Sequence, residues 1–182
     1  MPRLFVAAWP PPEVAEAITG AARQARAVLG PDAPVRWTTP EQWHVTLRFL
    51  GAVPDAAALS EALAGAPLPV GPLATLGPGV AWLGRRVLHV PVAGLDDLAG
   101  VVAGATAGFG REKPGHPFTG HVTLARVREA RGRPRAVGGV AGLVGVEVAG
   151  SWTVDEVTLV ESHLSAAGAR YEVLGRWRLG PR

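Results

Sequence analysis

The sequence predicts a mixed α+β fold, in which antiparallel sheets carry helices on their outer side and form two lobes around a central groove. Segments with the two-residue alternation of strands and segments with helical spacing fall into two comparable groups along the 182 residues. Each group contains one copy of the tetrapeptide His-Val-Thr-Leu, at residues 44–47 and 121–124. We therefore expect a single domain, residues 1–182, with one motif in each lobe.

The first group of elements leads to the first motif. The apolar run at residues 4–9 predicts a strand. Pro12 stands where a proline opens a helix, and apolar residues at helical spacing continue that helix to Gly30. A loop and a short extended segment at residues 36–37 then precede a strand at residues 43–50, which contains the motif.

The second group follows Gly51. A second helix is predicted from residue 54 to residue 64. A third helix is predicted to begin in residues 95–98 and to end before Gly108 and Gly110. The predicted strands of this group lie at residues 70–76, 80–83, 86–92, 120–127, 144–149, 152–162 and 170–179, with Gly168 in a hairpin turn between the last two. A loop at 111–119 and a weakly structured, arginine-dotted stretch at 128–139 flank the second motif strand.

Composition excludes several classes of protein. Hydrophobic residues make up 48% of the chain, but 24 glycines and 17 prolines divide them into short runs, so no membrane span is expected. The N-terminal apolar run is too short for a signal peptide, which favours a cytoplasmic protein. The absence of cysteine excludes disulfides and thiolate metal sites.

The formal net charge is +3, and the basic residues are almost all arginine. The planar guanidinium of arginine suits phosphate, but compositional drift of the coding sequence gives the same bias.

The two motifs place an imidazole and a hydroxyl on the same side of a strand. Alternation puts His44, Thr46 and Arg48 on one face, and it puts His121 and Thr123 together in the second copy. With a pKa near 6.5, a neutral histidine can take a proton from water while a protonated one gives a proton to a departing oxygen. Threonine hydroxyls can donate to phosphate oxygens. Such chemistry at a phosphodiester needs neither a metal nor a covalent intermediate.

Other interpretations of the histidines exist. A lone histidine on a strand is usually structural, but such a role gives no reason for both polar positions to recur together. Zinc normally takes three or four ligands, and neither motif has a second histidine, a cysteine or a carboxylate on its polar face, so no metal is expected. The other three histidines, His89, His116 and His163, have no partner motif and are interpreted as structural.

The two motifs, with Arg126 two residues after the second, resemble the paired signatures of the two-histidine phosphoesterase superfamily, and in particular the LigT-like RNA 2′,3′-cyclic phosphodiesterases. The resemblance extends over essentially the whole chain. It includes short segments at residues 3–7, 35–37, 49–51, 117–118 and 159–162, together with Gly168 and Tyr171. It implies two lobes related by a pseudo-two-fold axis, with both motifs in an active-site groove. The implied reaction is metal-free hydrolysis of a terminal 2′,3′-cyclic phosphate on RNA to a 2′-phosphate. By the same likeness His44 is the proton donor and His121 the proton acceptor, and weak 2′-5′ RNA ligation is the reverse reaction.

Substrate-binding residues are expected near the motifs. Arg48 lies on the catalytic face by alternation, whereas Arg126 reaches the groove only if its strand ends or bulges there. Trp9, Trp37 and Phe5 are candidates to stack on a base, although the core is an alternative for Phe5, and Trp43 is expected in the core. Arginines between residues 128 and 135 are either an RNA-tail contact or a solvated loop.

The expected partners are RNA ends or nucleotides that carry a 2′,3′-cyclic phosphate, with no cofactor, metal or membrane, and a monomer is expected. Two other hypotheses remain open. One is a related two-histidine phosphoesterase acting on 2′-5′ oligonucleotides or on a small cyclic phosphate. The other is a non-catalytic module that binds RNA ends in the same groove.

Overall fold

The computed structural model describes residues 3–110, 117–130, 133–134, 145–165 and 168–180. In these residues the helices are α1 (Pro12–Leu29), α2 (Ala56–Ala64) and α3 (Asp96–Ala105), with a 3-10 turn at Pro40–Gln42. The strands are β1 (Arg3–Ala8), β2 (Val35–Trp37), β3 (Val45–Gly51), β4 (Leu73–Leu76), β5 (Ala81–Leu83), β6 (Val87–Ala93), β7 (His121–Val127), β8 (Glu129–Ala130), β9 (Arg133–Pro134), β10 (Gly150–Thr153), β11 (Glu156–Ser165) and β12 (Gly168–Arg178).

The two motif strands lie side by side in the middle of one antiparallel sheet. The strand order is β10-β4-β6-β7-β3-β1-β11-β12, with β2 also paired to β7 and β5 to β6. Each motif strand also pairs with an earlier strand of its own half of the chain. β3 pairs with β1, with α1 and β2 between them in the sequence, and β7 pairs with β6, with α3 between them. The α+β class is confirmed, and the two predicted lobes are the two halves of this sheet.

The sheet must curl strongly. Strands β10 and β11 stand six strand spacings apart in the order, roughly 29 Å in a flat sheet. Only Val154 and Asp155 join them, and such a short connection spans at most about 11 Å. The two ends of the sheet are therefore brought towards each other.

The helices form where the sequence predicts them. Pro12 opens α1, which buries Val14, Ile18 and Ala25 and ends at Gly30. In α2 the carboxylate of Asp55 accepts a hydrogen bond from the backbone N–H of Ala58, which caps the first turn. These helices cover the apolar side of the sheet.

The alternate residues of the motifs anchor this core. Val45, Leu47, Val122 and Leu124 are all at most 5% exposed. The histidine and threonine of each copy are thereby held on the opposite side of the sheet.

Two strand predictions near the C-terminal end are wrong. Of the predicted strand 144–149, residues 145–149 are described and make only an isolated bridge, Gly79 with Glu147. Val146 and Val148 are buried there, so their alternation reflects an irregular segment packed on the core.

The predicted strand 152–162 is divided at Val154 and Asp155, because β10 pairs with β4 in one half of the sheet and β11 pairs with β1 in the other. The hairpin prediction at Gly168 is confirmed, since Gly168 pairs with Ser165.

Some predictions fall outside the described residues. These are residues 111–116 of the predicted loop, including His116, and residues 131–132 and 135–139 of the arginine-dotted stretch. None of the helices in the described part of the chain combines the length and the hydropathy of a bilayer-spanning segment.

Gly110→Ala is expected to destabilise the protein by about 2 kcal/mol or more. Gly110 has φ +65°, and a Cβ atom there would lie 2.2 Å from the carbonyl oxygen of Leu50. The matched control is Gly100→Ala in α3, where nothing lies within 4 Å, and it should stabilise by up to about 1 kcal/mol. Urea denaturation followed by circular dichroism compares the variants, and equal midpoints would contradict this interpretation of Gly110.

Candidate active site

The first motif strand changes register directly after its threonine. Thr46 pairs with Ala7 of β1, but the next pair joins Arg48 to Val6, which leaves Leu47 without an opposite residue. An extra residue of this kind reverses the alternation beyond it.

Arg48 consequently lies on the side away from the groove. Its guanidinium donates hydrogen bonds to the carbonyl oxygens of Ala103 and Phe109, at the end of α3. The expectation that Arg48 faces the catalytic groove is wrong, because strict alternation does not persist through the irregularity. Phe49 takes that face instead and is 45% exposed.

The second motif strand carries the same irregularity at the same place. Thr123 pairs with His89 of β6, and the next pair involves Ala125, so Leu124 is unmatched. Arg126 was expected to reach the groove only if its strand ends or bulges there. The strand does contain this irregularity, and Arg126 lines the groove. Arg126 and Phe49 occupy equivalent positions, each five residues after its motif histidine.

Both motifs line one cavity of about 450 Å³. His44, Thr46, His121 and Thr123 all contribute to its wall. Other lining residues include Arg3, Arg36, Arg126, Trp37, Phe49 and Tyr171, and no aspartate or glutamate belongs to the described lining. The cavity therefore combines two imidazoles, two hydroxyls and positive charge, a combination that suits an anionic ligand.

The two motif histidines are oriented in the same way. Nδ1 of His44 lies 2.8 Å from the carbonyl oxygen of Gln42, and Nδ1 of His121 lies 2.8 Å from that of Thr119. A carbonyl oxygen only accepts, so each Nδ1 carries the hydrogen and each Nε2 is left as the reactive nitrogen. Nε2 of His44 is 3.1 Å from Oγ1 of Thr46, whose hydroxyl donates to it.

Aromatic rings enclose His44. The ring of Phe5 stacks on it at 4.8 Å, and the rings of Trp9 and Tyr171 each lie 5.2 Å away. Burial lowers the pKa of His44 to about 4; the carbonyl of Gln42 opposes this shift, and the charges of His121 and Arg126 add to it. His44 is therefore neutral in the free protein at neutral pH.

The aromatic candidates for base stacking differ in their surroundings. Phe5 is 3% exposed beneath His44, and Trp9 packs against His44 while its indole N–H donates to Oγ1 of Thr158 at 2.7 Å. Phe5 lines the cavity from the core, the alternative expected for it, whereas Trp9 lies outside the described lining, and both rings contact His44. Trp43 is buried, as expected. Trp37 lines the cavity, and the Arg26 guanidinium lies 4.9 Å from its ring centre.

His121 has a different neighbour, His89, which was predicted to be structural. His89 is 5% exposed, and its ring lies edge-on to that of His121 at 5.4 Å. Burial, reinforced by the charge of His121, lowers the pKa of His89 and keeps it neutral. No spacing in the sequence reveals this contact, because it arises from the pairing of β6 with β7.

Tyr171 of β12 contributes to the wall of the cavity. Its ring lies edge-on to His44, and burial raises the pKa of its hydroxyl while the charge of Arg126 opposes that shift. In the sequence, only the family resemblance pointed to Tyr171.

Among the described residues, no three histidine, aspartate or glutamate side chains come together as metal ligands would.

The chain is similar to known proteins in sequence and in fold. Residues 9–82 match the family described as LigT-like phosphoesterase. A protein of Thermus thermophilus named RNA 2′,3′-cyclic phosphodiesterase is 30% identical, with 97% of this chain and 90% of the relative covered. A protein of the same name from Aeropyrum pernix is 31% identical, with 78% of this chain and 84% of the relative covered. The crystal structure of E. coli LigT complexed with 3′-AMP matches with a TM-score of 0.70 at 31% identity, and all of both chains is covered.

The enclosure of the half-buried His44, which keeps its imidazole neutral, predicts a loss of stability in mild acid. In the unfolded chain the imidazole has its ordinary pKa of 6.5, whereas in the folded protein the pKa is about 4. Between these values only the unfolded state binds the proton, so stability is complete above pH 6.5 and falls as the pH drops towards 4, by at most about 3 kcal/mol.

The free energy of unfolding, measured by urea denaturation between pH 8 and pH 4, checks this expectation. In the variant His44→Gln, the free energy of unfolding should fall less steeply as the pH drops. The remaining pH dependence includes the contribution of His89, whose pKa is also lowered. Identical pH dependence in the two proteins would contradict an enclosed, neutral His44.

Proposed function

The chain belongs to the LigT-like phosphoesterase family, and from this premise we propose that it hydrolyses the terminal 2′,3′-cyclic phosphate of RNA to a 2′-phosphate. The observation that carries this proposal is the meeting of two identically oriented histidines in one cavity, which is also lined by the threonine of each motif. Two relatives named RNA 2′,3′-cyclic phosphodiesterase support the choice of substrate.

The proposed reaction is an in-line displacement at phosphorus. Nε2 of His121 takes a proton from water, and the oxygen of that water forms the new bond to phosphorus. The bond from phosphorus to the 3′ oxygen breaks, and His44 gives its proton to that oxygen through Nε2. Each of these proton transfers typically contributes about 10²–10⁴-fold in rate.

Thr46, Thr123 and Arg126 are proposed to hold the phosphate. A hydroxyl from each motif can donate to a non-bridging oxygen, and the guanidinium of Arg126 can neutralise the single negative charge. Thr123 and Arg126 already line the cavity, so they can stabilise the charge of the transition state with little reorganisation, whereas the Thr46 hydroxyl must first be released from Nε2 of His44.

The donor role of His44 requires that substrate binding change its protonation. Its pKa of about 4 makes it neutral in the free protein. A phosphodiester anion beside the ring favours the imidazolium form, and the Thr46 hydroxyl is then released from Nε2 to donate to the phosphate. We therefore place the proton on His44 in the complex. In the ligating direction, which we propose as a weak reverse activity, the two histidines exchange roles.

Phe49 is proposed as the contact for the nucleobase, in place of Trp9 and Phe5. It is the aromatic ring of the cavity wall that stands 45% exposed, and unstacked bases are commonly gripped by stacking on such rings. The complex of E. coli LigT with 3′-AMP supports a nucleotide in this groove. Both motifs come from one chain, so we propose that residues 1–182 act as one domain and that a monomer is sufficient for catalysis.

His44→Gln and His121→Gln should each lower kcat for a 2′,3′-cyclic nucleotide by about 10²–10⁴-fold. The assay is run in excess chelator, with the 2′- and 3′-phosphate products separated. His163→Gln is the matched control, because His163 lies outside the cavity wall, against Glu161 and Glu172, and it should leave kcat unchanged.

Activity that survives both motif substitutions would exclude this mechanism. Full binding of RNA ends by the unaltered protein without any turnover would favour a non-catalytic module. Faster turnover of 2′-5′ oligonucleotides or of small cyclic phosphates would instead identify a related phosphoesterase.

A cyclic substrate with sulfur in place of the 3′ oxygen tests the separate roles of the histidines. A thiolate leaves without a proton donor, so His44→Gln should lose less than about 10-fold on this substrate, while His121→Gln should still lose about 10²–10⁴-fold. Rates of thiol release compare the two variants. The opposite pattern would make His44 the acceptor and His121 the donor.

A further inference from the structure

Two arginines stand directly opposite each other on neighbouring strands at one end of the cavity. In the pairing of β2 with β7, Arg36 is the cross-strand partner of Arg126. Both side chains are exposed and line the cavity. An anion bound between two facing guanidinium groups is attracted to both.

Arg36 lies beyond the site of the reacting phosphate. Its partner Arg126 follows Thr123 by three residues, so the Cα atom of Arg36 is displaced from that threonine by roughly 7–10 Å along the strand. Its guanidinium reaches the hairpin of β11 and β12, since a Cβ atom on Gly168 would lie 2.9 Å from Nη2 of Arg36. The side-chain amide of Gln42 donates to the carbonyl oxygen of Ala169 and holds the hairpin in this place.

The charged side chains in the described wall of the cavity are basic and not acidic. Arg3, Arg36 and Arg126 contribute to the wall, and no carboxylate belongs to the described part of the lining. The single charge of a cyclic phosphodiester does not require three guanidinium groups. A nucleic acid strand supplies further phosphates at regular intervals, and contacts to them position the strand without reading its bases.

We propose that Arg36, beside Arg126, binds the phosphodiester on the 5′ side of the terminal nucleotide. The proposal rests on the proposed function and adds the residue that recognises the strand preceding the terminal nucleotide. A mononucleoside 2′,3′-cyclic phosphate with a free 5′ hydroxyl lacks this second phosphate. The same terminal nucleotide should therefore react more efficiently when one more nucleotide precedes it.

The test compares kcat/KM for a nucleoside 2′,3′-cyclic phosphate with that for a dinucleotide that ends in the same group. The native protein should prefer the dinucleotide by about 10-fold, in keeping with one charge-assisted contact. Arg36→Gln should remove this preference and leave the mononucleotide rate within about twofold. Arg23→Gln is the matched control, because Arg23 is exposed on α1 and lies outside the cavity wall, and it should retain the preference.

A second substrate makes the test independent of any variant. A dinucleotide with an uncharged methylphosphonate linkage keeps both nucleosides but lacks the charge, so the native protein should treat it like the mononucleotide. Equal preference for the charged and uncharged dinucleotides, or an unchanged preference in Arg36→Gln, would overturn the proposal. Turnover of the mononucleotide without any dinucleotide preference would overturn it while leaving the proposed function intact. No turnover of either substrate would overturn the proposed function itself.

Discussion

The site depends on the contact between β3 and β7. These strands join the two halves of the sheet, and their register contains a single pair, Val45 with Val122. Both valines are fully buried, so the junction is held by the core on one side of the sheet. On the other side, each valine is flanked by the histidine and the threonine of its motif. A short junction between diverging strands leaves room for a cavity, and it brings together two imidazoles that are far apart in the chain.

The two halves are alike in backbone and different in chemistry. Each motif strand has its irregularity after the threonine, and each histidine donates from Nδ1 to the carbonyl oxygen two residues before it. The surroundings of the two rings differ. His44 is enclosed by the rings of Phe5, Trp9 and Tyr171. His121 instead contacts the ring of His89. A repeated backbone thus supports two histidines in unlike environments, as the proposed division into acid and base requires.

The sequence predicted the elements whose signals are local. The helices follow from spacing, a proline and glycines, and the common face of histidine and threonine follows from alternation within one short motif. Alternation failed for Arg48, since the inserted residue Leu47 has no signature in the sequence, and for the same reason Arg126 was predicted only conditionally. Trp9 and Phe5 were candidates for base stacking because residue type does not reveal which ring packs against a motif histidine. Contacts made by strand pairing, such as His89 with His121 and Arg36 with Arg126, required the fold.

The central claim is that both Nε2 atoms face the same phosphorus. It is tested most directly by ¹⁵N NMR of the histidine side chains during a titration with a nucleoside 2′-phosphate, the proposed product. The account predicts that the Nε2 resonances of His44 and His121 shift together with one dissociation constant, and that His44→Gln weakens the response of His121. A response confined to one histidine, or two different dissociation constants, would contradict a single phosphate site between them.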